Sequence, residues 1–419
     1  MEASTLPEVP GHCRLPNSLT EDDQECQNCR EPGARMVCGN CKVADIGSLS
    51  TRYCSRDCQK AHWQEHKKIC NARRRFTRAI RVLNTIWEAF AELTYVNRVM
   101  VTGKTDRVIH TTLLSQNEAL DHGGWTGESI FPGFSQEALG GNQDEDVKQA
   151  ILQDIGGNNG NDVVTTGLGL IKTLLTPVCS EITEIRFKAK GCAFVVEVGG
   201  SPNLDAHVIL HAQTQSGEEF CIDFTGARFG WEEKMYPWRT FAQHRAESLD
   251  SRLALGGTNL HKALIMETHP ADQSYRAAYD LRWEIAQDVV KSITAFFSEK
   301  KINAWLFMSQ ANSTFPSQSD ELVSRATMAI HDSIRQLTVE RGIGRWYVEV
   351  QPTRFALRVL RDEELARKMK KVWLSQKQVD KVRLRFAHLP KRRMEKACLD
   401  KLSDMVLKRW AKYMYCQHG

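Results

Sequence analysis

The residues best suited to chemistry in this sequence are seven cysteines and a histidine crowded near the amino end. A gap of two residues lets a tight loop present two thiolates to one ion, and a gap of three places two ligands one helical turn apart. Four ligands complete a tetrahedral zinc site, so eight of them predict two Zn2+ ions. The four pairs are Cys26 with Cys29, Cys38 with Cys41, Cys54 with Cys58, and His66 with Cys70.

Closed sites of four protein ligands leave no coordination position for water. Neither ion is then placed to activate a nucleophile, so both should be structural. A segment of about 45 residues is near the lower size limit for a self-sufficient apolar core. Structural zinc contributes about 10 to 16 kcal/mol of apparent binding free energy, so we expect the metal to decide whether this segment folds.

The segment from residue 26 to 70 resembles the MYND finger family. The motifs that carry the resemblance are Tyr53-Cys54-Ser55, Cys58-Gln59, His62-Trp63 and His66-Lys67-Lys68-Ile69-Cys70. The resemblance implies an interleaved arrangement, which the spacing alone leaves open. It assigns one ion to Cys26, Cys29, Cys54 and Cys58, and the other to Cys38, Cys41, His66 and Cys70. The insertion between Lys42 and Arg52 is longer than the family requires.

One histidine in the finger is surplus to the eight ligand positions. His62 continues the four-residue spacing of Cys54, Cys58, His66 and Cys70, which gives nine candidates for eight places. The family needs no ligand at that position. We therefore expect His62 to be a histidine on the helix surface beside Trp63.

The resemblance also implies a partner, because MYND fingers bind short proline-containing peptides along a strand edge. Gln59 and Trp63 match the groove positions of the family. Four residues apart on a helix, they share one face, and they offer an apolar floor and an amide that can bind an extended backbone. The competing interpretation is that Trp63 only covers the small core of the finger.

Nucleic-acid binding is the rival function for the finger, because basic residues continue from Lys60 through Arg73, Arg74 and Arg75 to Arg81. Between residues 26 and 70 there are eight Lys or Arg and four Asp or Glu. With two zinc ions and seven thiolates the balance is about +1, a poor footprint for phosphates. A charge run on a helix is more often a solvated face.

The carboxyl-terminal stretch is more strongly basic than the finger. Residues 354–419 hold 19 Lys or Arg against 7 Asp or Glu. Lys391-Arg392-Arg393 is a candidate nuclear-import patch, and the stretch could instead pair with an acidic partner. Pairing with the more acidic remainder of the chain is the interpretation we favour.

A second constellation raises the possibility of an enzyme. His207 lies on one predicted strand and Asp223 at the end of the next, with Ser216-Gly217 as the hairpin turn. This portion is weakly similar to transglutaminase-like and arylamine acetyltransferase-like folds, in which an upstream cysteine at a helix N-terminus is the nucleophile. The upstream helix here has no cysteine, and Cys179 and Cys192 are the substitutes. A Cys-dependent transferase or hydrolase is therefore the alternative function. A lysine methyltransferase is disfavoured, because no Asn-His-x-x-x-Pro-Asn segment is present.

The elements that must position these residues form an α+β multidomain chain. Apolar spacing predicts a helix from Arg73 to about Met100, a helix over Val163 to Leu175, and further helices after about Arg276. The predicted units are a disordered leader (1–25), the MYND finger (26–70), a helical linker and start of the body (71–139), a flexible loop (140–162), an α/β middle domain (163–245) and a mainly helical, basic carboxyl-terminal region (246–419). Also predicted are strands at Cys192 to Val198, His207 to Thr214, Glu219 to Phe224 and Trp346 to Val350, and helices at Phe355 to Trp373 and Arg393 to Tyr415.

Composition limits the class of protein. Hydrophobic residues make up 42% and charged residues 26%, as in soluble globular proteins, and no run approaches the roughly 18 apolar residues of a membrane span. No secretory signal is evident, so we expect a cytoplasmic or nuclear protein without membrane contact. The favoured function is a non-catalytic adaptor that docks a proline-containing protein, in transcriptional regulation or with a ubiquitin ligase. The chain organisation resembles that of MYND-finger proteins of filamentous fungi.

Overall fold

The architecture is described from a computed structural model. It covers residues 25–42, 51–95, 99–113, 131, 134, 136–141, 144–154, 160–198, 201–202, 207–259, 273–341, 381 and 384–385. The helices are α1 (Gly39–Lys42), α2 (Arg56–Leu93), α3 (Glu145–Asp154), α4 (Gly160–Thr165), α5 (Leu168–Leu174), α6 (Trp238–Arg245), α7 (Gln273–Glu299), α8 (Ala304–Ser309) and α9 (Phe315–Arg341). The strands are β1 (Met36–Val37), β2 (Arg52–Tyr53), β3 (Val99–Lys104), β4 (Val108–Leu113), β5 (Cys179–Ala189), β6 (Val195–Val198), β7 (Ser201–Pro202), β8 (His207–Thr214), β9 (Glu219–Ile222), β10 (Met235–Pro237) and β11 (Ala246–Ala254).

Three sheets organise the described residues. The largest is antiparallel and has the order β10-β9-β8-β5-β11. A second sheet has the order β3-β4-β6-β7, in which β4 and β6 run parallel. The third sheet is the short antiparallel pair of β1 and β2 in the finger.

Helix α2 joins the finger to the rest of the molecule. The Ser55 hydroxyl accepts a hydrogen bond from the Cys58 amide and caps the amino end, where Asp57 complements the helix dipole. Its first half carries finger residues, and its second half buries an apolar stripe that includes Phe76 and Phe90. The predicted helix from Arg73 therefore begins 17 positions earlier, at Arg56, and ends at Leu93.

The main core lies between the five-stranded sheet and the long helices. Helices α2, α5, α7 and α9 bury their apolar faces together with inward residues of β8 and β9. The opposite face of the sheet forms a smaller core rich in aromatic rings, covered by α6 and by the turn that contains Phe229 and Trp231. Both faces of the sheet are thus buried, and nearly every residue of strand β8 is buried as a result.

A buried ion pair locks the helices at the far end of α2. The Arg282 guanidinium of α7 donates to the Asp162 carboxylate of α4 across 2.5 Å. The same guanidinium donates to the Thr94 hydroxyl at the end of α2 and lies over the Phe90 ring. Removing one partner of a buried ion pair destabilises a protein by about 3 to 5 kcal/mol. These contacts of Arg282 therefore hold helices α2, α4 and α7 in one arrangement.

The α+β architecture predicted from the sequence is confirmed, with a finger at the amino end, mixed sheets and helices beyond them. The hairpin is confirmed as well, since β8 and β9 pair around a turn in which Gly217 has φ +87°. The segment 140–162, expected to be a loop, contains helix α3. The helix expected from Val163 to Leu175 is divided at Gly167 into α4 and α5.

Of the strands in the described part of the chain, only β6, β8 and β9 were predicted, and several predicted elements cannot be compared. Strands β5 and β11 flank the sheet on its second edge, and the strand expected from Cys192 begins only at Val195. The predicted strand and helices after residue 345 lie outside the described residues, as does Lys391-Arg392-Arg393. Within the described part of the chain, none of the helices has the length and apolar character needed to span a membrane.

Candidate metal centre

The eight predicted ligands converge into two groups of four in the finger. In each group the candidate ligand atoms lie within 4.8 Å of one another. The groups are interleaved, since the first and third pairs in the chain share one group and the second and fourth pairs share the other. Helix α2 supplies one ligand to the first group and two to the second. The first group is Cys26, Cys29, Cys54 and Cys58, and the second is Cys38, Cys41, His66 and Cys70.

The spacing of these atoms fits Zn2+. Tetrahedral zinc with bonds to sulfur of about 2.3 Å sets its sulfurs about 3.8 Å apart. In the first group Cys54 Sγ lies 3.6 Å from Cys29 Sγ and 3.5 Å from Cys58 Sγ. In the second group Cys70 Sγ lies 3.9 Å from Cys38 Sγ and 3.6 Å from Cys41 Sγ. Four cysteines, or three cysteines with one histidine, are donor sets of structural zinc, so the finger contains two zinc-binding sites.

The two sites differ in their exposure to solvent. In the first, which we call the outer site, Cys29 and Cys54 are exposed. In the second, the inner site, all four ligands are buried. The inner site is shielded because His66 and Cys70 lie on the inward face of α2, where the helix leaves the finger for the body.

Protons and zinc compete at the inner site. Hydrogen bonds from Cys41 and Cys70 lower the pKa of Cys38, and the bond to Cys38 raises the pKa of Cys70. Burial lowers the pKa of His66, but its hydrogen bonds to Cys38 and Cys41 outweigh burial and raise that pKa to about 9. In the metal-free cluster the raised pKa values of His66 and Cys70 favour the protonated forms of these two side chains. Zinc binding must release these protons, so zinc affinity should fall as the pH falls.

The surplus histidine lies outside both ligand groups. The Nδ1 atom of His62 is 3.1 Å from the hydroxyl of Tyr53, a fully buried residue of the finger. Its Nε2 atom is 3.5 Å from the carboxylate of Glu65. His62 thus supports Tyr53, and its exclusion from the metal ligands stays a prediction.

The two predicted docking residues lie on the first turns of α2. Gln59 and Trp63 are both partly exposed and are separated by one helical turn. The Trp63 ring contacts the ligand His66, with ring centroids 6.1 Å apart. Trp63 therefore packs on the inner site with part of its surface and leaves the remainder accessible.

The arginines that follow the finger bind within the protein, and their sequence pattern gave no sign of this. Arg73 forms an ion pair with Glu218 of the β8–β9 turn across 2.6 Å. Arg78 donates to the carbonyls of Met308 and Gln310 and lies over the Phe315 ring. The expectation of a solvated basic face is wrong for Arg73 and Arg78, since both are largely buried against the body.

The second constellation, His207 and Asp223, forms a sealed pair in the smaller core. His207 Nε2 lies 3.0 Å from each carboxylate oxygen of Asp223, and both side chains are almost fully buried. Burial raises the pKa of Asp223, but the charge and hydrogen bond of His207 and the Thr225 amide outweigh it, so the pKa is lowered. His207 Nδ1, the atom that would activate a nucleophile, is buried without a hydrogen-bond partner among the described residues.

The cysteines of the sheet are poorly placed for catalysis. In the strand register Cys179 opposes Thr214 and Phe187 opposes His207, so Cys179 lies about 23 Å along the sheet from His207. Burial also raises the pKa of Cys179 to about 12. Cys221 opposes His211, and burial raises its pKa well above the ordinary value. Cys192 lies in the segment before β6 and packs on the aromatic core.

Comparison with known proteins identifies the amino-terminal module. Residues 26–70 match the MYND finger family. A segment of 48 residues is 44% identical to Dauer abnormal formation protein 25 of Caenorhabditis elegans, and it covers 12% of this chain and 10% of that protein. No solved structure matches the chain. The chain therefore contains a MYND finger, commonly a protein-interaction module, and the likeness to fungal MYND-finger proteins beyond it stays a prediction.

Proposed function

We propose that this protein is a zinc-dependent adaptor whose MYND finger docks an extended, proline-containing segment of another protein. The observation that carries the proposal is the position of Trp63. Its ring rests on a zinc ligand, His66, and is still partly open to a partner. Aromatic anchors on rigid supports supply most of the binding energy at many interfaces, because little conformational entropy is lost.

In this proposal the zinc ions are structural and do no chemistry. The outer ion is held by Cys26, Cys29, Cys54 and Cys58, and the inner ion by Cys38, Cys41, His66 and Cys70. Four protein ligands leave no position for a water molecule, so the finger holds its surface in shape and the partner supplies the function. Gln59 contributes an amide that can bind the backbone of an extended peptide beside the Trp63 ring.

The setting that the finger suggests is a transcriptional or ubiquitin-ligase-associated assembly in the cytoplasm or nucleus. Clustered thiols serve as metal ligands chiefly in reducing compartments, which supports that placement. The Cys-dependent enzyme finds little support, because the side chains of His207 and Asp223 are buried away from solvent. Among the described residues, no cysteine sulfur lies within hydrogen-bond distance of His207 Nδ1.

The proposal is tested by selecting binders of the full-length, zinc-loaded protein from short random peptides with a fixed central proline. A matched library carries alanine at that position. We expect enrichment only from the proline library, and we expect Trp63→Ala to weaken the selected peptides by about 10-fold or more. Gln64→Ala, an exposed change on the same helix, is the control and should bind normally. Equal binding by wild type and Trp63→Ala would exclude this docking surface, provided that both proteins hold two zinc equivalents.

A further inference from the structure

The Arg73 side chain connects the inner zinc site with the body of the protein. It lies on α2, three residues after the ligand Cys70, and only 13% of it is exposed. Its Nε atom is 2.9 and 3.0 Å from the two carboxylate oxygens of Glu218, and Nη2 is 2.6 Å from one of them. This two-pronged contact fixes the direction of the guanidinium as well as its position.

The remaining edge of the same guanidinium faces the finger. Nη1 donates to the Thr51 hydroxyl across 3.2 Å, and Thr51 accepts the amide of the ligand Cys38 through its carbonyl. Arg73 is therefore bonded at once to the body and to Thr51, the residue that leads into the finger strand β2 and holds the amide of a zinc ligand.

The charges along this line alternate. Three thiolates and one Zn2+ give the inner site a net charge of about −1 when the histidine is neutral. A buried charge requires a partner, and Arg73 is a cation that is connected to that site through Thr51. Glu218 then balances Arg73 from the other side, so that the site, the guanidinium and the carboxylate form a row of negative, positive and negative charge.

The turn that holds Glu218 is itself fixed at several points. The Ser216 hydroxyl lies 3.3 Å from the Glu218 carboxylate. Next to it, Gln215 accepts hydrogen bonds from Arg75 of α2 and from the Trp305 indole of α8, each across 3.2 Å. The β8–β9 turn is thus held between the finger helix and the body, and Glu218 has little freedom to follow Arg73 if the finger moves.

We propose that Arg73 is a positioning residue shared by the inner zinc site and the body, and that Glu218 acts through it to hold the inner ion. Groups that orient a metal ligand from behind typically change metal affinity by 10- to 100-fold when they are removed. Linkage is reciprocal, so occupancy of the inner site must also stabilise the β8–β9 turn. This inference does not depend on peptide docking, because it concerns metal retention and the order of the turn.

The test follows zinc release from the full-length protein to the chromogenic chelator 4-(2-pyridylazo)resorcinol. We expect a fast phase from the outer site and a slow phase from the inner site. Glu218→Gln should accelerate the slow phase about 10-fold and leave the fast phase unchanged. The neighbouring carboxylate Glu219, exposed at the start of β9, supplies the control, and Glu219→Gln should alter neither phase.

Two further measurements separate this role from a general loss of stability. In an Arg73→Ala background, Glu218→Gln should have no additional effect on release, because its influence passes through Arg73. If Arg73→Ala does not fold, Arg73→Gln supplies the same comparison, since glutamine fills similar space and removes the charge that Glu218 balances. Hydrogen exchange at residues 214–218 should increase when zinc is removed from the wild type. An unchanged slow phase in Glu218→Gln, or an equal change in Glu219→Gln, would overturn the proposal.

Discussion

The finger and the His207–Asp223 pair are the two regions where residues capable of chemistry come together, and they differ in what lies between them. In the finger, eight donor atoms surround two spaces of zinc size and leave little other reason for their convergence. At the sheet, the histidine and the carboxylate satisfy each other, and aromatic rings of Phe187, Phe229 and Trp231 close around them. Two suitable residues in contact are therefore not evidence of a functional site by themselves. The group on which they would act, such as a metal ion or a nucleophile, must also have a place beside them.

The difference also shows how charge is handled in each region. The finger places three or four thiolates side by side, which is stable only when a cation neutralises them. The sheet buries one potential charge pair whose two members contact each other. We expect the finger to respond to metal and the sheet pair to respond to the loss of either partner.

Replacing a zinc-ligand cysteine of the finger should have the largest effect of the changes considered, on both zinc content and folding. Cys70→Ser removes a ligand of the inner site, and structural zinc contributes about 10 to 16 kcal/mol of apparent free energy, so we expect loss of that ion and unfolding of the finger. Cys221→Ser changes an equally buried cysteine of the sheet and should keep two zinc equivalents. Zinc content by mass spectrometry compares the two variants. Retention of both ions by Cys70→Ser would show that the inner site has another ligand.

Asp223→Asn should affect the sheet and not the finger. It leaves His207 buried without its charged partner, and we expect about 3 to 5 kcal/mol of destabilisation in urea unfolding, with normal zinc content. The exposed Asp250 of β11 provides the control, and Asp250→Asn should cost less than about 0.5 kcal/mol. A stable Asp223→Asn protein would argue for a functional carboxylate, since functional residues often cost stability.

The same pair should give a definite pH dependence. Because the pKa of Asp223 is lowered in the folded state, its stabilisation is present above the unfolded value of about 3.9 and is lost as the pH falls through the lower folded value. The pH profile of unfolding for the wild type minus that for Asp223→Asn isolates this contribution. A difference that stays constant below about pH 4 would contradict the ionised pair.

Alkylation by iodoacetamide near neutral pH should distinguish the cysteines of the zinc sites from the buried cysteines of the sheet. The pKa of about 12 for Cys179 lies about 3.5 above that of a free thiol, so its thiolate should be scarcer by about 10³-fold and its labelling correspondingly slow. Chelation of zinc should expose Cys29 to the reagent and leave Cys179 unchanged. Peptide mass spectrometry gives both rates, and rapid labelling of Cys179 would restore the enzymatic alternative.

His62→Ala should have the smallest effect. The change removes one hydrogen bond to Tyr53, which is worth about 0.5 to 1.5 kcal/mol, and it removes no ligand. Zinc content should stay at two equivalents, with a slightly lower midpoint of unfolding. Loss of an ion would place His62 in the metal centre.

The sequence was most informative where the structure depends on neighbours in the chain. Ligand spacing is set within a few residues, so the eight donors and the hairpin around Ser216-Gly217 could be predicted from local pattern. Strand β5 was missed because Glu184 interrupts its apolar pattern. Glu184 is buried, and it is satisfied by the amides of Gly256 and Thr258, which lie 72 and 74 residues later.

The link between the finger and the body could not be predicted for the same reason. Arg73 and Glu218 are 145 positions apart, and neither stands in a motif that names the other. The basic run predicted a solvated face because local pattern cannot show which arginines will meet a carboxylate or a carbonyl in the folded chain. Assignment of four ligands to each ion likewise required the resemblance to a family, since spacing permits more than one pairing.

Helix α2 has a further consequence, because its 38 residues pass from the finger into the core without a break. Over that length an α-helix extends about 57 Å, and each residue turns it by about 100°. A single residue inserted between Cys70 and Phe76 would therefore swing the whole amino-terminal module roughly a quarter of a revolution about the helix axis. The direction in which the finger presents a bound partner is therefore set by the number of residues in the helix. An insertion or deletion can change that direction only in steps of about 100°.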